Sequence, residues 1–206
     1  MVAHKIETSE TYYLGFLTEL HRQVMPKVYL EIGVHGGRSL NLCNPDTLAV
    51  AIDPHLWTAS RPNTEWHAVT SDEYFRYSEN VKFDMAFIDG LHTFDQVYRD
   101  LINVSNHMTD GGIIAIHDIL PEEPSHATKN ITNSIWAGDV WKLLYPLTDW
   151  SGEVRFSFVK PTGMVVLPAH KDIARFLTNR YEDDIERYSE ATWEDYLKIK
   201  ESLING

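Results

Sequence analysis

Carboxylates and imidazoles recur in this chain where apolar runs come to an end. Glu31 stands two residues before Gly33 in Val28-Tyr29-Leu30-Glu31-Ile32-Gly33-Val34-His35-Gly36-Gly37-Arg38-Ser39, and Asp53 closes the run from Leu48. Ser71 and Asp72 follow Trp66–Thr70, Asp89 closes the run from Phe83, and His117-Asp118 closes the run from Gly112. Clustered carboxylates repel and raise one another's pKa, so such a series is costly unless a ligand uses it. Asp89, His117 and Asp118, brought together, could bind a divalent ion and leave positions open for substrate oxygens. An oxygen-rich set favours Mg²⁺, and the imidazole shifts the preference toward Mn²⁺ or Fe²⁺. The other reading is that Asp118 caps a turn and His117 packs in the core. His92, three residues past Asp89, could take a proton from a hydroxyl, because a neutral imidazole titrates near physiological pH. A hydrogen-bonded structural histidine is the alternative.

The glycines at 33, 36 and 37 follow Glu31 by two, five and six positions. Such a turn lets backbone N–H groups and a helix N-terminus approach a ligand. It departs from Gly-x-Gly-x-x-Gly because position 35 is histidine, and a carboxylate in the strand end suits a cationic nucleoside better than a pyrophosphate. Asp53 follows Gly33 by twenty residues, where a carboxylate can accept both ribose hydroxyls or simply open the turn into Pro54. His35, His55 and Trp57 stand where they could line the mouth of such a site.

Bringing these residues together takes a sheet. Strands are expected at Val28–Gly33, Leu48–Asp53, Trp66–Thr70, Phe83–Asp89 and Gly112–His117, with helices at Gly37–Leu42, Asp72–Ser78 and Thr93–His107. Short, nearly continuous apolar strands alternating with helices indicate a parallel sheet covered on both faces. Ligands then sit beyond the carboxyl ends of the strands, which is where the carboxylates fall. Residues 8–25 read as an amphipathic helix capped by Thr8 or Ser9, with Tyr12, Tyr13, Phe16, Leu17 and Leu20 on its apolar face. Residues 119–134 read as a loop over the strand ends, and Ile135–Tyr145 as a helix anchored by Trp136, Val140, Trp141 and Leu144. Glu153–Lys160 and Gly163–Leu167 flank Pro161-Thr162 as a hairpin. The acidic tail from Lys171 is helical and restarts at a capping box formed by Thr192 and Asp195.

At 206 residues and 43% hydrophobic, the chain is expected to form one domain with one buried core. Eighteen basic residues against thirty acidic ones give a net charge of −12, with no cluster of Lys and Arg, which argues against nucleic acid as a partner. The single Cys43 excludes an intrachain disulfide and a cysteine zinc site. No stretch approaches the ~20 apolar residues that cross a bilayer, and the N-terminus lacks a signal peptide's apolar core. No membrane partner is expected, and the expected setting is cytoplasmic. The C-terminal helices are candidates for pairing subunits in a homo-oligomer.

Taken together, Glu31–Ser39, Ala51-Ile52-Asp53-Pro54, Phe87-Ile88-Asp89-Gly90-Leu91-His92-Thr93-Phe94, Gly111–Asp118 and the hairpin ending Gly163-Met164-Val165-Val166-Leu167 resemble class I S-adenosylmethionine-dependent methyltransferases. The resemblance is to the small group of sugar and antibiotic O-methyltransferases and cephalosporin hydroxylase-like proteins. It implies a Rossmann-like, doubly wound α/β fold whose seven-stranded sheet is mostly parallel with a C-terminal antiparallel hairpin, plus N- and C-terminal helices. The implied division is a cap at 1–26, a core at 27–168 and helices at 169–206. S-adenosylmethionine is the implied cofactor. Glu31, Gly33, Gly37 and Ser39 would approach its methionine end with His35 at the mouth, Asp53 would hold the ribose, and Ser71 with Asp72 would flank the adenine.

The site layout is also similar to that of catechol O-methyltransferase. There a metal-binding aspartate closes the fourth strand and an acidic or amide pair closes the fifth. Asp89, His117 and Asp118 fall on those positions, and His92 stands where that enzyme has a lysine base. The implied reaction is an in-line methyl transfer to a hydroxyl of a sugar, glycan or diol- or catechol-like small molecule, assisted by Mg²⁺ or Mn²⁺. The alternatives are a non-catalytic cofactor-binding module of the same fold and a metal-dependent hydrolase.

Overall fold

Eight strands hydrogen-bond into a single sheet in the computed structural model, which describes residues 5–55, 61–78, 81–131 and 134–205, the first six as backbone only. They are β1 (Lys5–Tyr12), β2 (Val28–Ile32), β3 (Leu48–Ile52), β4 (Thr64–His67), β5 (Phe83–Ile88), β6 (Met108–His117), β7 (Arg155–Lys160) and β8 (Met164–Pro168). Their order is β1-β7-β8-β6-β5-β2-β3-β4. β8 runs antiparallel between β6 and β7, and every other pairing is parallel. The helices are α1 (Tyr13–Val24), α2 (Ser71–Tyr77), α3 (Phe94–Asn106), α4 (Leu144–Asp149), α5 (Lys171–Thr178), α6 (Tyr181–Tyr188) and α7 (Trp193–Asn205).

The two-residue period of the strands divides the core into two layers. Leu30, Ile32, Val50, Ile52, Ala86, Ile88, Ile114 and Ile116 pack with Phe94, Val97, Tyr98 and Leu101 of α3. Tyr29, Ala49, Ala51, Met85, Phe87 and Ala115 pack on the opposite face with Leu17 and Leu20 of α1. Glu31 and His117 share the parity of that second face, and Asp53 and Asp89 continue it past the strand ends. One face of the sheet thus collects Glu31, Asp53, Asp89 and His117 at its strand ends.

Four expectations are corrected. The sheet has eight strands because residues 8–12, expected in the N-terminal helix, belong to β1; α1 begins only at Tyr13. Backbone pairing with β7, from Lys5↔Arg155 to Tyr12↔Lys160, overrides the helical reading there, and Thr and Ser are weak helix formers in any case. In place of a helix at 37–42 there is a single 3₁₀ turn, Leu40–Leu42. The chain must enter β3 at Leu48, and Pro45 ends any helix beforehand. β4 lies earlier than Trp66–Thr70, since Val69 and Thr70 lead into α2, where the Thr70 hydroxyl accepts the Glu73 N–H at 3.2 Å. The helix expected at 135–145 is a turn followed by a 3₁₀ stretch, Val140–Leu143, and α4.

Among the described residues, the segment expected as a loop at 119–134 holds one 3₁₀ turn, Pro124–His126, and no strand or α-helix. The capping box is present: the Thr192 N–H donates to Asp195 Oδ2 at 3.0 Å and the Asp195 N–H to Thr192 Oγ1 at 3.4 Å. Among the described residues no helix is long and apolar enough to cross a membrane.

Candidate active site

The glycine turn is built against the end of β5. Gly33 has φ +84°, and a Cβ there would lie 2.0 Å from the carbonyl oxygen of Asp89. The strand ends are stitched at this point: the Gly33 N–H donates to the Ile52 carbonyl and the Asp89 N–H to the Ile32 carbonyl, both at 2.9 Å. Asp53 shapes the turn. Its Oδ2 accepts the Val34 and His35 N–H groups at 3.0 and 2.9 Å, and its Oδ1 accepts the His55 N–H at 2.8 Å. The residue expected at a ribose is therefore also the brace of the turn, with acceptor capacity left on Oδ1. His35 and His55 are exposed beside it, and Trp57 lies outside the described residues.

Beneath the turn Glu31 is fully buried, and Oε1 accepts the Ser39 hydroxyl and Oε2 the Tyr29 hydroxyl, each at 2.7 Å. Burial pushes its carboxyl up to about 8, against the opposing pull of the Ser39 and Tyr29 hydrogen bonds. The folded state thus binds this proton more tightly than the unfolded chain. Stability carries no penalty from Glu31 below the ordinary carboxylate range, and it falls as pH rises from there to about 8. The slope is about 1.4 kcal/mol per pH unit within that window. Glu31→Gln is expected to remove it. Urea unfolding of both proteins at about pH 5, 6.5 and 8 checks this, and parallel stability curves would disprove it.

Ser71 and Asp72, expected beside an adenine, open α2 and are tied to α3. The Ser71 hydroxyl donates to Asp100 Oδ1 at 2.6 Å, and Asp72 accepts from Arg99 Nε and Gln96 Nε2, each at 3.3 Å. Asp100 is itself buried, and burial raises its carboxyl to about 6 against the lowering effect of Ser71 and Gln96. No local pattern marked Asp100, because its position is that of any polar residue on a helix.

One strand over from the turn, four titratable side chains meet. His92 Nε2 lies 3.2 Å from Asp118 Oδ2 and 3.5 Å from Asp89 Oδ1. His117 Nδ1 lies 3.2 Å from Asp89 Oδ1 and 3.5 Å from Asp118 Oδ1, and its Nε2 is 3.4 Å from the Thr162 hydroxyl. Single ligand atoms of Asp89, His92 and Asp118 all fall within 4.8 Å of one another. The structure thus places His92 beside the two aspartates together with the His117 expected from the sequence. His117 Nδ1 faces both aspartates as well, and its Nε2 faces the Thr162 hydroxyl.

Electrostatics follow from this packing. Burial alone would lower His92, but the Asp89 hydrogen bond, the charges of Asp118 and Asp89, and the Trp136 carbonyl lift it to about 9. Burial opposes ionisation of His117 as well, and the charges of Asp118 and Asp89 carry it well above the ordinary imidazole value. Asp89 is held well below the carboxylate range: burial would raise it, and the charges and hydrogen bonds of His117 and His92 prevail. The two carboxylates facing His92 thus favour its protonated form.

Three segments hold the cluster in place. Asp118 has φ +64°, a region open to aspartate more readily than to bulky residues. Its N–H donates to the Gly163 carbonyl at 3.1 Å, and its Oδ1 accepts the Thr162 hydroxyl of the β7–β8 turn. The loop after β6 fixes His92: Nδ1 lies 2.8 Å from the Trp136 carbonyl, and the Trp136 ring stacks on the imidazole at 4.9 Å. A Cβ on Gly138 would lie 1.8 Å from the His92 carbonyl oxygen, and Asp139 Oδ1 accepts the Phe94 N–H at 2.6 Å. Of the tryptophans read as helix anchors, Trp141 is core and Trp136 stacks on His92. Gly138 and Asp139 drew no notice in the sequence.

Two carboxylates and an imidazole within this span form an O, N, O donor set that fits a divalent cation. A methyltransferase-domain family matches residues 30–119, the segment from β2 through the end of β6. No curated protein matches the chain in sequence. Among solved structures, it is similar to the O-methyltransferase from Bacillus cereus in complex with SAH, at 13% identity and TM-score 0.54 over 77% of this chain and 80% of that one. It is also similar to the O-methyltransferase TomG from Streptomyces achromogenes in complex with SAM, at 16% and 0.53 over 75% and 78%. SAH-bound methyltransferase PaMTH1 from Podospora anserina gives 16% and 0.55 over 75% and 76%.

Proposed function

We propose that this chain is a class I methyltransferase that moves a methyl group from S-adenosylmethionine to a hydroxyl of a sugar, glycan or diol- or catechol-like small molecule, assisted by a divalent ion, a reading that the methyltransferase-domain match and the fold support. The observation that carries this reading is the convergence of Asp89, His92 and Asp118 one strand from the glycine turn. The SAM and SAH in the similar structures support the same donor here. An open approach at Gly36, where a Cβ would meet nothing within 4 Å, fits a ligand resting on the turn.

In this reading Gly33, His35 and Gly37 form the surface under the methionine end, braced from below by Glu31 and Ser39. Asp53 offers Oδ1 to the ribose, and the start of α2, with Ser71 and Asp72, lies toward the adenine. A sulfonium is an activated donor, so the protein has mainly to align an oxygen with the methyl carbon and accommodate the hydroxyl's proton. Held by Asp89, His92 and Asp118, Mg²⁺ or Mn²⁺ supplies Lewis acidity toward hydroxyl oxygens. His117 and Thr162 keep the two aspartates oriented. The loop after β6 and the β1–α1 junction exclude water from the strand ends. The reading extends to a cytoplasmic enzyme acting on small molecules, with the C-terminal helices available for pairing subunits.

Isothermal titration of the protein with S-adenosylmethionine, with and without Mn²⁺, tests it. Micromolar binding is expected, with Mn²⁺ itself retained by the protein. Absence of S-adenosylmethionine binding under both conditions would remove the reading.

A further inference from the structure

We infer that the Tyr13 hydroxyl is an acceptor-binding group, donating a hydrogen bond to an oxygen of the methyl acceptor between the glycine turn and the acidic cluster; this rests on the methyltransferase reading above. Tyr13 is the first residue of α1, and its place is set by β1, whose last pair, Tyr12↔Lys160, brings the β1–α1 junction beside the β7–β8 turn that carries Thr162. Its ring stacks on His117 with centroids 4.2 Å apart and planes at 29°, so the phenol cannot swing freely. The phenol lies near enough to Asp89, Asp118 and Arg38 of the glycine turn for their charges to act on it. An oxygen that attacks a methyl group held over the turn must occupy this same interval.

The second observation is what the hydroxyl lacks. The three fully buried tyrosines, Tyr29, Tyr98 and Tyr196, donate to Glu31, Asp184 and the Pro121 carbonyl, each at 2.7 Å. Tyr13 is half-buried, and among the described residues its hydroxyl has no hydrogen-bond partner. A fixed, unused donor facing the site is what a ligand oxygen can take up without breaking an existing bond. Burial, reinforced by Asp89, pushes the phenol up to about 12, so it remains a donor at neutral pH. β1, which the sequence did not announce, thereby gains a role in the site, because it places one wall of the acceptor pocket.

The test uses the full chain, SAH, Mn²⁺ and 4-nitrocatechol as a chromophoric probe carrying two neighbouring oxygens. Tyr13→Phe keeps the ring and removes only the hydroxyl, and Tyr13→Leu removes the stacking as well. In Tyr13→Phe the probe is expected to bind 5- to 10-fold more weakly, about 1 kcal/mol, while SAH and Mn²⁺ affinities and the melting temperature stay unchanged. Tyr13→Leu should weaken the probe further. Unchanged probe binding in Tyr13→Phe overturns the inference, as does weakening of SAH in step with the probe, which would assign the hydroxyl to the cofactor. A wild-type protein that binds SAH but not the probe also overturns it and leaves the methyltransferase reading standing. A wild-type protein that binds no SAH removes both.

Discussion

Asp89→Asn is expected to abolish tight divalent-ion binding, weakening Mn²⁺ by about 100-fold or more, and to lower methyl transfer correspondingly. One oxygen of Asp89 serves both imidazoles, 3.2 Å from His117 and 3.5 Å from His92. The amide preserves the shape and removes the charge, so among the described residues Asp118 is left as the one carboxylate facing the buried His117 and the half-buried His92. Both imidazoles then lose much of what held them above their ordinary range, and part of the buried ion-pair network is lost with it. Removing one partner of a buried pair costs about 3–5 kcal/mol when the other charge stays. Here the histidines can shed their protons, so the cost to stability should fall below that. Mn²⁺ titration followed by electron paramagnetic resonance reads the metal, and SAH titration reads the cofactor half, which should stay within about threefold. Mn²⁺ binding as tight as in the wild type would show that the cluster is a structural ion-pair network.

Gly33→Ala should be, with Gly138→Ala, one of the two most damaging single-methyl additions among the described glycines. The residue sits at φ +84°, and the added Cβ would be placed 2.0 Å from Asp89 O and 2.5 Å from Asp89 C, both backbone atoms that cannot rotate away. Positive φ alone costs a non-glycine residue about 1–2 kcal/mol. The overlap forces β2 and β5 apart at their carboxyl ends, which raises the total to about 3–5 kcal/mol. For a chain of this size that corresponds to a fall in melting temperature of roughly 10 °C. Gly36→Ala is the control, since a Cβ there meets nothing within 4 Å. Equal melting temperatures for the two variants would refute the argument. SAH binding should be lost in Gly33→Ala at temperatures where the variant is still folded, because the distorted strand ends carry the turn, Asp53's hydrogen bonds and Asp89 together.

The strands that carry chemistry were legible because each is a short apolar run ending in a polar residue. β2, β3, β5 and β6 all contain or abut the residues expected. The hairpin and the capping box at Thr192 were legible too, since turn chemistry and caps are local. β1 was not: its stability comes from pairing with a strand some 150 residues later, and nothing within Lys5–Tyr12 announces that partner. The 3₁₀ turn at Leu40–Leu42 escaped for a related reason, because the room available before β3 depends on how the sheet closes.

The site divides along the same line. Residue type and strand parity were enough to gather Glu31, Asp53, Asp89 and His117 on one side at the carboxyl ends of a parallel sheet, because alternation along a strand is a property of the backbone. What each of them does there came from long-range packing. That packing turned Glu31 under the glycine turn onto Ser39 and Tyr29, tied Ser71 to Asp100, and set Asp53 to hold the turn. It brought His92 to the two aspartates beside His117, through a loop that stacks Trp136 on one imidazole and a strand that brings Tyr13 onto the other. Those choices depend on side-chain directions and on partners far apart in the chain, which periodicity does not encode.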